Sequence, residues 1–191
     1  VGHLKPTKGH GEFVQALAAL GPDAHAVIVG GEVERIRYRD RLRAQVEQLG
    51  LGGRVTLAGP QPYEHIPAYL AAADVVVLAS HREGCPNVVL EALAAGRPVV
   101  ATRVGAVPDI VTSDRCGRIV PPRDPAAMAD ALRDVLSRPW SAEDVRAAAA
   151  VRSWDQVAEE VLRVFGEALA PPAPPAGPGR ADGRPARTDD T

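Results

Sequence analysis

Glu83 and Glu91 have seven residues between them and bracket the run Ser80 to Val100, in which a loop passes into a short helix. An ionised carboxylate only accepts hydrogen bonds, so this pair suits a ligand rich in hydroxyl groups. Between the glutamates lie Gly84, Cys85, Pro86, Asn87, Val88 and Val89. Their backbone N–H groups, the proline excepted, can bind sugar or phosphate oxygens, and Gly84 allows close approach. Asn87 reads as the helix N-cap and Gly96 as the residue just past the helix end. A helix start reached from the C-terminal end of a parallel strand is where doubly wound sheets place phosphates. The stretch therefore predicts a nucleotide-linked ligand. Metal chemistry has no such support, because His3, His10, His25, His65 and His81 are scattered without ligand spacing.

The surrounding pattern supplies the elements that such a loop needs. Phe13, Ala16, Leu17 and Leu20 recur at helical spacing before Gly21-Pro22. Ala26 to Val29 reads as a strand ending at a glycine turn, and Tyr38, Leu42, Val46 and Leu49 mark one face of a second helix. Arg54 to Ala58 is the next strand, followed by Gly59-Pro60-Gln61-Pro62, a helix over Ile66 to Ala72 and a strand over Val75 to Leu78. Beyond the glutamate stretch, Pro98 to Ala101 reads as a strand. Gly105 to Val111 is a glycine turn into one helical turn, and Ile119-Val120 is a short apolar pair. Pro125 opens a helix with Met128, Leu132 and Val135 inward, Ser141 to Val151 is alanine-rich, and Ser153 with Gln156 fits a capping box. Strands alternating with helices at this spacing predict an α/β fold, a Rossmann-like doubly wound parallel sheet.

The formal net charge is −2 with an isoelectric point near 6.2, which points away from nucleic acid and from an anionic membrane surface. The apolar runs are short and interrupted, so no transmembrane segment is expected. Cys85 and Cys116 have no metal spacing and read as reduced thiols of a cytoplasmic protein. Residues 171–191 hold Pro, Ala, Gly, Arg and Asp without a large apolar side chain, and a disordered tail is expected there after a domain over 1–170. The chain opens with Val1-Gly2 in what reads as the loop after a strand. A longer protein whose first strand precedes this sequence is therefore expected.

The run from Glu83 to Thr102, with the Val104-Gly105 turn and Gly117-x-Ile119-Val120, resembles the signature of family-four retaining glycosyltransferases. The resemblance extends from Val1 to about Leu169. It implies the donor-binding C-terminal half of a GT-B fold, whose two Rossmann-like domains face each other across a cleft. It implies that Glu91 accepts from the ribose hydroxyls, that Glu83 contacts the donor sugar, and that Lys8 neutralises the donor diphosphate. It also implies that the loop at Gln61 passes the base and that the helix with Trp154 crosses back to an N-terminal domain. One departure stands out: His3 occupies the place of an arginine that works with the lysine, and histidine lacks the guanidinium fork. A His3 protonated by the diphosphate, Lys5 or Arg103 acting in its stead, or a slow enzyme are the options. Cys85 reads as lining and not as a nucleophile.

The implied reaction moves a sugar from a nucleoside diphosphate sugar to a hydroxyl acceptor with retention, without a metal cofactor. The implied partners are the nucleotide sugar and an acceptor glycan or lipid-linked glycan held by the N-terminal domain. That places the protein in the cytoplasm or at the inner face of the membrane, any membrane contact coming through that domain. The fragment alone is expected to be inactive. The alternatives are a nucleotide-sugar epimerase or hydrolase of the same fold, and a non-catalytic interaction module.

Overall fold

The computed structural model describes residues 1–32, 37–149 and 151–169. They fall into two units, Val1–Val151 and a second beginning at Arg152. In chain order the first unit holds α1 (His10–Ala18), β1 (Ala26–Val29), α2 (Tyr38–Gln48), β2 (Val55–Gly59), α3 (Ile66–Ala72), β3 (Val76–Leu78) and α4 (Asn87–Ala94). There follow β4 (Val99–Thr102), α5 (Val107–Ile110), β5 (Gly117–Val120), α6 (Pro125–Leu136) and α7 (Ala142–Ala148). The second unit holds α8 (Trp154–Leu169). The tail expected at 171–191 and the domain end at 170 lie outside the described residues.

All the paired strands are parallel, as alternating β and α elements require. They form two sheets, β1-β2 and β3-β4-β5, where the alternation alone reads as one. A slot of about 670 Å³ opens between them, lined by β1 and β3 and by Phe13, Leu17, Tyr69 and Leu132. Val27 faces it and is 52 % exposed although it is the second residue of a strand. Gly2 N–H donates to the Val29 carbonyl and Leu4 N–H to that of Gly31, and Leu4 bridges Glu32 in parallel.

Strand β4 shows why the sheet is covered on both faces. Val99 and Ala101 pack with Val89, Ala92 and Leu93 of α4, whereas Val100 packs with Met128 and Leu132 of α6. This is the period of two, and both faces are apolar because each meets a helix. A third cluster joins Leu4, Val14 and Leu17 to Leu42 and Val46 of α2. Leu49, expected on that face, caps α2 and is 39 % exposed. Leu51 is buried there instead, after the chain has turned.

Among the described residues no helix is long and apolar enough to cross a membrane. Both cysteines are free, Cys85 exposed and Cys116 buried. The capping box of α8 forms as expected, Gln156 N–H donating to Ser153 Oγ and Ser153 N–H to Gln156 Oε1. Its apolar residues Val161, Leu162, Val164, Phe165 and Leu169 are exposed, as is Trp154.

Candidate functional site

The C-terminal ends of β3 and β4 carry the loops that matter. After β3 the chain passes Ser80 and Glu83 before Pro86 and α4. After β4 it passes Arg103 and Gly105 before α5. The two loops touch through their backbones. Ala106 N–H donates to the Gly84 carbonyl at 2.8 Å. A Cβ on Gly105 would lie 2.2 Å from the Gly84 oxygen and 2.5 Å from that of Glu83. Gly105 has φ +49°, so both its space and its backbone demand glycine.

Lys8 arrives from the other side, on a 3-10 turn over Pro6–Lys8. Its Nζ donates to Glu83 Oε1 at 2.6 Å, with side chains 24 % and 13 % exposed. Ser80 Oγ donates to the same oxygen at 2.6 Å, and the Ser80 carbonyl accepts from the buried Thr102 Oγ1 at 2.6 Å. Glu83 is thus oriented by a cation and a hydroxyl on one oxygen. Its Oε2 has no partner among the described residues. The lysine ammonium has three donors and spends one here, which leaves two for a ligand.

Helix α4 begins beside this pair. Pro86 is its N-cap residue, with no side-chain cap, so Asn87 is the first helical residue and not the cap expected of it. The cause is Pro86 itself, which sits buried in extended geometry and takes the position one residue earlier. Val89 N–H donates to the Pro86 carbonyl and the Val89 side chain is part of the core, so Val89 offers a ligand neither group. The N–H groups of Gly84, Cys85, Asn87 and Val88 find no backbone acceptor among the described residues and remain for a ligand. Glu91 lies one turn further along α4, half-buried, its carboxylate without a hydrogen-bond partner among the described residues.

Electrostatics tie these groups to the chain start. Burial holds the Val1 amino group below its ordinary value, Lys8 pushes the same way, and Glu91 opposes both. Lys8 and Glu91 therefore share one neighbourhood. His10, the first residue of α1, falls to about 4, chiefly by burial, with the Val1 amino group and Lys8 adding repulsion.

Lys8 and Glu83 meet side chain to side chain, the Gly84–Val88 backbone continues from Glu83 into α4, and Glu91 stands on that helix. His3 is exposed and makes no hydrogen bond among the described residues. Gln61 is turned back on its own loop, its Nε2 donating to the Ala58 carbonyl at 3.0 Å. Sequence reasoning did not assign roles to Ser80, Thr102 or Ala106. The serine three residues before Glu83 is a local signal, but the partners from β4 and its loop have none.

With this geometry in place, residues 1–152 match the family described as glycosyl transferases group 1. The chain belongs to that family. It is 36 % identical over 181 residues to the D-inositol 3-phosphate glycosyltransferase of Acidothermus cellulolyticus, covering 89 % of this chain and 40 % of that one. It superposes on the Anabaena HepE protein in complex with UDP with a TM-score of 0.80 at 25 % identity, covering 87 % of this chain and 47 % of that one. The C-terminal domain of a glycosyl transferase group 1 family protein from Francisella tularensis gives 0.65 at 30 % identity, covering 84 % and 83 %. The chain thus spans about two fifths of the first curated relative's length and most of an isolated C-terminal domain. It is a glycosyltransferase domain with the α/β architecture of the GT-B C-terminal half. The epimerase or hydrolase alternative finds no support in these relatives.

Proposed function

We propose that this domain binds the nucleoside diphosphate sugar of a retaining, hexosyl-transferring enzyme. The observation that carries the reading is the meeting of Lys8, Glu83 and the open N-terminus of α4 at one sheet edge. In this reading Glu91 accepts from the ribose hydroxyls and Glu83, through its free Oε2, from a sugar hydroxyl. The Gly84 to Val88 amides and Lys8 hold the diphosphate.

During transfer the bond between the anomeric carbon and the diphosphate oxygen breaks, and negative charge grows on the leaving group. Lys8 and the α4 N-terminus stabilise that charge, so they act most strongly where the barrier lies. The acceptor hydroxyl forms the new bond on the same face and passes its proton to an oxygen of the leaving phosphate. No metal is needed for this scheme, because the cation and the helix end supply the positive charge. The acceptor, a glycan or lipid-linked glycan, belongs to the remainder of the longer relatives' architecture. UDP is the first nucleotide to try, since the Anabaena relative has been solved with UDP and with UDP-glucose.

Calorimetry with UDP, GDP and ADP on the full chain and on Glu91→Ala tests the reading. One nucleotide is expected to bind, with affinity lower in Glu91→Ala by about tenfold or more, as the loss of a hydrogen-bonded carboxylate gives. A folded protein that binds none of the three overturns it.

A further inference from the structure

The loop that carries Glu83 is linked to the Lys8 segment by more than the ion pair. His81 Nε2 meets Glu12 Oε1 at 2.7 Å, the two side chains being 16 % and 26 % exposed. His81 N–H donates to the Thr7 carbonyl at 2.9 Å. One step earlier, Gly9 approaches Ala79 so closely that a Cβ on Gly9 would lie 1.9 Å from the Ala79 oxygen. Residues 79–83 are therefore laid along residues 7–12 by backbone contact, a backbone hydrogen bond and two side-chain pairs.

We propose that His81 and Glu12 are positioning residues, a latch that fixes the Glu83 loop against Lys8 and so sets the sugar-facing geometry of the donor site. The inference rests on the donor reading above. Glu12 is the right anchor because it stands in the first turn of α1, whose Val14, Ala16 and Leu17 are buried in the core. Its carboxylate also sits at the helix end where negative charge is favoured. His81 is the right tie because it lies between Ser80, whose carbonyl is held by Thr102, and Glu83. An ionised carboxylate only accepts hydrogen bonds, so the imidazole presents Nε2–H to Glu12. The Lys8–Glu83 pair ties the loop to a three-residue 3-10 turn, whereas the latch ties it to a helix seated in the core.

The latch acts on the Glu83 loop, whereas the Asn87 and Val88 amides and Glu91 sit on α4, which is held independently by Val89, Ala92 and Leu93 in the core. Its loss should therefore weaken what touches the sugar more than what touches the diphosphate. Two measurements on the full chain test this. Hydrogen–deuterium exchange without ligand should show faster exchange confined to residues 79–86 in both His81→Ala and Glu12→Ala. His81→Gln, whose amide can still donate to Glu12, should restore the parent rate. Calorimetry should show UDP-glucose affinity falling about tenfold in His81→Ala, the scale of one lost charge-assisted hydrogen bond, with UDP affinity changed by less than about threefold.

Exchange that stays at the parent rate in His81→Ala, that spreads through the whole domain, or that His81→Gln fails to restore would overturn the latch. A parallel loss of UDP and UDP-glucose would overturn its positioning role. If the parent protein binds neither ligand, the donor reading falls, and the exchange data still decide whether the latch holds the loop.

Discussion

Helices α4 and α6 cover opposite faces of β4, yet their ends are finished in opposite ways. At α6 the Asp124 carboxylate accepts from Ala127 N–H at 2.9 Å, closing the helix with its own side chain. At α4 no side chain caps the start. The other end of α4 is closed thoroughly: Gly96 and Arg97 N–H donate to the Leu93 and Ala92 carbonyls, and Arg146 Nε donates to that of Ala94. The first N–H groups of any helix lack intrahelical partners, so a protein must cap them or leave them for water or a ligand. Helices α1, α2, α3 and α5 also start without a side-chain cap, so an open end alone does not mark α4. What sets α4 apart is that its open end follows directly on the Glu83 loop, which is paired with Lys8.

The comparison can be tested first where the helices should not differ. Leu93→Ala in α4 and Leu132→Ala in α6 each remove a buried side chain, and each is expected to cost about 2–5 kcal/mol. Urea unfolding checks this, and a large gap between the two would mean that one helix is poorly seated.

A second test concerns α1, which also starts without a side-chain cap and next to Lys8. His10 titrates near 6.5 unfolded and about 4 folded. Above pH 6.5 both states are neutral there and stability is intact. As pH falls toward 4 the unfolded chain takes up a proton that the native state refuses, so stability is lost across that window. The loss amounts to on the order of 3 kcal/mol. Unfolding midpoints between pH 4 and 7 should fall more steeply in the parent than in His10→Gln.

The caps themselves give the smaller effects. Asp124→Ala should cost about 1 kcal/mol of stability and leave nucleotide affinity unchanged. Asn87→Asp should do the reverse. A carboxylate in the first turn of α4 stabilises the helix by about 0.3–1 kcal/mol, while its charge opposes a bound diphosphate. Weaker nucleotide binding together with a higher melting temperature is the expected pair of results. Tighter binding would mean that the open end faces something other than an anion.

Much of this site is legible in the amino-acid sequence. The Glu83–Glu91 spacing, the loop between them and the alternation of strands and helices are local patterns, and they survive folding because each rests on neighbours a few residues away. The limits are instructive. Asn87 loses the cap to Pro86 because the choice turns on one residue's backbone, which composition does not resolve. Val89 is withdrawn from the ligand because its side chain is needed in the core.

The sequence by itself determined the fold class, the family signature and the residues with suitable chemistry, since these follow from periodicity and short-range order. Only the tertiary structure decided that Lys8 pairs with Glu83 across 75 residues and that His81 meets Glu12 across 69. It also decided that Ser80 and Thr102 brace the loop, and that a slot lies between β1 and β3. Those contacts depend on which strand ends lie side by side. That is a property of the packed sheet and is not encoded in any window of the chain.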